Sequence, residues 1–101
     1  MNYQINDDAS GMLIKISGDL DFSANAEFKK IVGALTSRKG RTVTFELSNV
    51  SHIDSVGLGL LYIAKEEVGS SGGKICLKSP QAGVQRMLQL TEADTDFDIR
   101  A

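Results

Sequence analysis

From Thr42 to Leu47 polar and apolar residues alternate without a break, Val43, Phe45 and Leu47 on one side and Thr42, Thr44 and Glu46 on the other. A period of two marks a strand with one buried face. Upstream, Phe28, Ile31, Val32 and Leu35 follow the spacing of one helix face, with Ser23 placed to cap the helix and Gly40 to stop it. Downstream, Val56, Leu60, Ala64 and Val68 recur every four residues, Leu61 widening the stripe, which predicts a second helix over 56–68. A half-buried strand between two helices restricts the chain to a layered α/β arrangement, because helix-linked strands pair in parallel through right-handed crossovers.

The remaining segments extend that pattern. Met12, Ile14 and Ile16 alternate between Gly11 and Gly18, and Tyr3 to Ile5 can pair with them across the turn-rich run Asn6 to Gly11, giving an antiparallel hairpin. The run Gly69 to Gly73 has the length of a helix-to-strand connection and leads into a strand at Lys74–Lys78. Ser79 and Pro80 read as the cap and first residue of a third helix, buried through Val84, Met87 and Leu88. Phe97 and Ile99 alternate at the end. The expected order is β-β-α-β-α-β-α-β, a small mixed sheet with helices mainly on one side, in one domain spanning residues 1–101.

At 101 residues the chain has room for one core. Eleven Lys and Arg against 13 Asp and Glu give a net charge of -2, which argues against direct nucleic acid binding. No apolar stretch approaches the roughly 20 residues that span a bilayer, so no membrane insertion and a cytoplasmic location are expected. Cys76, the single cysteine, lies within an alternating strand and reads as core filling.

Catalytic motifs are absent. One His and one Cys are too few for a common zinc site, and His52, three residues before Ser55, is poorly placed for a triad. Gly57 and Gly59 begin a GxGxxG pattern that Tyr62 breaks, and no phosphate-binding loop of the GxxxxGK[ST] type occurs. Neither an enzyme nor a cofactor or metal is expected, which leaves a small nucleotide hydrolase without a motif to support it.

The segment Ser48 to Gly59 stands out because small polar residues run straight from a strand into a helix. Ser55 falls at the helix start, where capping alone accounts for a serine. Capping does not account for Gly57 and Gly59, since each glycine in a helix costs about 1 kcal/mol relative to Ala, and close approach of backbone or partner is the economical reason.

The run Ile53-Asp54-Ser55-Val56-Gly57-Leu58-Gly59-Leu60-Leu61, with Gly18-Asp19-Leu20-Asp21 upstream, resembles a STAS domain of the anti-sigma factor antagonist type over nearly the whole chain. The resemblance implies that a serine kinase of the anti-sigma factor type phosphorylates Ser55 and that a PP2C-type phosphatase reverses it. It also implies that Asp54, Asp21, Asp19 and Gly57 surround the phosphorylated serine. Family members often carry a second Ser or Thr where this chain has Val56. The function implied is a phosphorylation-controlled switch that binds the kinase when unphosphorylated and releases the kinase's client, a sigma factor or other protein. A non-switching adaptor in a transport or sensory complex is the alternative.

No Arg or Lys occurs between Arg41 and Lys65. A phosphate at Ser55, bringing roughly -1.5 to -2 charges, is therefore expected to block a partner directly instead of refolding the domain around an internal Arg. Helical spacing places Ser55, Leu58, Tyr62 and Glu66 on the side away from the core stripe. Leu58, Gly59 and Tyr62 are accordingly the expected partner contacts.

Overall fold

The computed structural model describes residues 1–37 and 40–101, and of Asp8 the backbone only. The described residues form strands β1 (Asn2–Asp8), β2 (Gly11–Leu20), β3 (Thr42–Ile53), β4 (Lys74–Lys78) and β5 (Asp98–Arg100), with helices α1 (Asn25–Thr36), α2 (Ser55–Ser70) and α3 (Ala82–Leu90) between them. Short 3-10 turns at Phe22–Ala24 and Ala93–Thr95 precede α1 and β5, and the sequence did not signal either of them.

The strands lie in sequence order in one sheet, β1 antiparallel to β2 and the rest parallel. Met12, Ile14, Ile16, Val43, Phe45, Leu47 and Leu77 point to one face and join Phe28, Ile31, Leu60, Leu61, Val84 and Leu88 from the helices in a single core. Phe28 stacks on Phe45 with ring centroids 5.8 Å apart, tying α1 to the middle of the sheet. The other face carries Lys15, Glu46, Lys78 and Arg100 in one cross-strand row, and Cys76, though buried, lies on that face beside Thr44. Burial raises the Cys76 thiol above its ordinary pKa.

Several boundaries differ from expectation, each for a local reason. Gly18 and Asp19 are inside β2 and not in a turn, at a register shift against β3. The 3-10 turn before α1 is capped by Asp21 and not by Ser23, and α1 itself ends at Thr36, ahead of Gly40. β3 continues to Ile53, six residues past Leu47, because Val50 and Ile53 keep burying side chains after the strict alternation has broken. This extension projects beyond β4, which pairs with β3 only as far as Glu46. On its free side, Gln81 Nε2 donates to the Ser48 carbonyl at 2.7 Å.

Candidate functional site

The projecting ends of β2 and β3 build the site. Their last paired residues are Leu20 and Ile53, and the Asp54 N–H reaches back to the Leu20 carbonyl at 3.4 Å, so Asp21 and Asp54 leave the sheet side by side. Asp54 is extended and caps α2, its carboxylate accepting from the Gly57 N–H at 2.9 Å. An anionic cap suits the positive end of a helix, a favourable term of about 0.3–1 kcal/mol. Ser55 is thereby freed from capping: it is the first helical residue, and it is exposed.

The other acids are held by local hydroxyls and amides. Asp21 accepts from the Ser23 hydroxyl at 2.5 Å and from its N–H at 2.9 Å. These two bonds, with smaller help from the charge of His52, hold its carboxyl below the usual range. Asp19 lies opposite His52 and accepts from Ser51 Oγ at 3.2 Å across the strands. Ser23, Ser51 and His52 thus belong to the corner; the sequence reading gave Ser23 only a capping role and included Ser51 and His52 in the segment Ser48 to Gly59 without making them site residues. The available signal was the loss of alternation after Leu47, where the register against β2 shifts and the polar pairs Ser48–Asn49 and Ser51–His52 are exposed.

Gly57 and Gly59 separate cleanly. A Cβ on Gly57 would lie 1.8 Å from the Leu20 carbonyl oxygen, so the packing of α2 on the end of β2 excludes any side chain there. A Cβ on Gly59 would meet nothing within 4 Å. The fold requires the first glycine and leaves the second unexplained.

Leu58 and Tyr62 do not form the outer face that helical spacing suggested. Leu58 is 8% exposed and belongs to the core, because α2 sinks its first turn against β2 where Gly57 permits close approach. Tyr62 is half-buried, its ring 5.1 Å from that of Phe97 and its hydroxyl bonded to Asp96 at 2.5 Å. That bond to a carboxylate pushes the phenol up to about 12. Val56, expected in the core stripe, is instead 43% exposed, and Ile63 is 53% exposed. The outer side of α2 is therefore Ser55, Val56, Gly59, Ile63 and Glu66. Among the described residues no metal-binding cluster of His, Cys, Asp and Glu occurs, and no helix is long and apolar enough to cross a membrane.

A mixed sheet in sequential order, with an Asp-capped helix presenting a serine at the end of a projecting strand, defines the class. The STAS domain family model matches residues 1–101. A Thermotoga maritima protein named as a candidate anti-sigma factor antagonist is 36% identical over 93 residues, covering 91% of this chain and 80% of its own. A solved Thermotoga maritima structure so described superposes with a TM-score of 0.88 at 28% identity, covering 98% of this chain and 86% of that one. The anti-sigma factor antagonist SpoIIAA, in its unphosphorylated form, has the same fold, with a TM-score of 0.82 at 22% identity over 99% of this chain and 88% of that one. This chain belongs to the STAS domain family, with relatives among the anti-sigma factor antagonists.

Proposed function

We propose that this protein is a cytoplasmic partner-switching module without catalysis of its own. Unphosphorylated, it binds a kinase-type anti-sigma factor and frees the sigma factor or other client; phosphorylation of Ser55 by that kinase ends the complex, and a PP2C-type phosphatase restores it. The observation that carries the reading is the division of labour at the start of α2: Asp54 does the capping, so the exposed Ser55 hydroxyl is available for modification.

A phosphate there meets the unsatisfied N–H groups of the first helical turn and, against them, the carboxylates of Asp54, Asp21 and Asp19. Its main effect is on the partner, whose contact surface must desolvate two added charges where a neutral hydroxyl had fitted. A wholesale change of fold is not needed.

Binding of the kinase to wild type, Ser55→Ala and Ser55→Asp tests the proposal. Ser55→Ala should bind as wild type does and accept no phosphate, while Ser55→Asp should bind up to a hundredfold more weakly, about 2.7 kcal/mol. Equal affinity of all three for the kinase would remove the switch. Recovery of a transporter subunit from cells, with Ser55 unmodified, would favour the adaptor instead.

A further inference from the structure

The sheet has two edges, and the sequence protects only one of them. β5 is three residues long and holds Asp98 and Arg100 in an ion pair of 3.0 Å, features that discourage an incoming strand. β1 is seven residues long and pairs with β2 without a bulge, from Asn2 opposite Ser17 to Asp8 opposite Gly11. It contains no Pro, Lys or Arg, and among the described residues no strand lies beyond it. Only an extended segment offers backbone donors and acceptors at the spacing of such an edge.

Residues Asn2 to Asn6 have the same chemistry read in either direction. Amide side chains stand at 2, 4 and 6, exposed on the face away from the core, and between them Tyr3 and Ile5 are half-buried beside it. We propose that β1 of a second copy of this chain fills the edge, antiparallel, around a two-fold axis at Gln4. Asn2 then faces the partner's Asn6, Gln4 faces the partner's Gln4, and Tyr3 packs on the partner's Ile5, so amide meets amide and apolar meets apolar. Charge selects the direction. The two acids of β1, Asp7 and Asp8, lie at one end, Asp7 held by Arg41 at 2.7 Å. Parallel pairing would set them beside their counterparts. The two-fold instead puts the two Asp7 residues about six positions apart, roughly 20 Å, well past the ~8 Å screening length at physiological salt. Two five-stranded sheets become one of ten strands. Because β2 of one copy then runs opposite to β2 of the other, the two Ser55 corners lie at opposite ends of the joined sheet, and pairing leaves both uncovered.

One strand pair buries little area beside the roughly 1,200–2,000 Å² of a standard interface, so the dimer is expected to be weak, with a Kd between about 10 μM and about 1 mM. Sedimentation velocity of the purified chain across that range should show monomer giving way to dimer. Gln4→Lys sets two cations against each other at the axis and should raise the Kd at least tenfold, by less at high salt. Gln4→Cys brings two thiols within disulfide reach and should give a cross-linked dimer under mild oxidation. Lys15→Cys, on the same face one strand inward, should not, and Cys76 is buried in both variants. A chain that stays monomeric throughout would overturn the pairing. So would a dimer that Gln4→Lys leaves unweakened, or cross-linking of Lys15→Cys as readily as Gln4→Cys.

Discussion

Two of the junctions where a parallel strand leads to a helix, β3 into α2 and β4 into α3, start alike in one respect and end differently. Each places a serine after the strand. At the first, Asp54 caps the helix, Ser55 is helical, and the strand overshoots its neighbour by several residues to carry the corner out of the sheet. At the second, Ser79 takes a left-handed backbone with φ 55° while its N–H bonds the Arg100 carbonyl at 2.7 Å. The cap position there passes to Gln81, whose side chain makes no capping bond. A serine before a helix is thus an opportunity that a neighbouring residue can take over. Where an aspartate took the cap, the serine was released toward solvent.

The largest test of this contrast is at glycine. Gly57→Ala should destabilise the domain by about 3 kcal/mol in urea unfolding, since the Leu20 carbonyl must move. Gly83→Ala, in the first turn of α3 where a Cβ meets nothing, should be neutral or stabilise by up to about 1 kcal/mol. Equal losses at both sites would mean that α2 is no more tightly seated than α3.

Removal of the caps should differ less. Asp54→Ala should cost about 1 kcal/mol, while Gln81→Ala, which loses one exposed bond to Ser48, should stay within about 0.5 kcal/mol of wild type by the same unfolding measurement. Ser79→Gly should stabilise by up to about 1 kcal/mol by relieving the left-handed backbone, whereas Ser55→Gly in a helical position should not stabilise at all.

The smallest effect concerns the tie between α2 and the turn that follows α3. In a Tyr3→Phe background, phenolate absorbance should show Tyr62 titrating near 12, and Asp96→Asn should bring it back toward the ordinary value of 10.0. Because the folded value is raised, this bond's contribution to stability is complete below pH 10 and is lost as pH climbs toward 12. A phenol titrating at its ordinary value would show that Asp96 does not hold it.

Most of the fold was legible because periodicity is a local property. The alternation at 42–47, the helical stripes and the order of elements all follow from which residues can reach water and which cannot. The type and order of the elements held, and Asp19, Asp21 and Asp54 lie at the paired ends of β2 and β3 from which α2 starts. What the sequence could not determine was how far α2 sinks into the sheet. That depth depends on Leu20, more than thirty residues from Gly57, and it turned Leu58 inward and Val56 outward. It also distinguished Gly57, whose place the β2 carbonyl keeps free of any side chain, from Gly59, where a Cβ would meet nothing within 4 Å. Spacing along a helix fixes the angles between its side chains, but only packing against distant residues sets which angle faces the core.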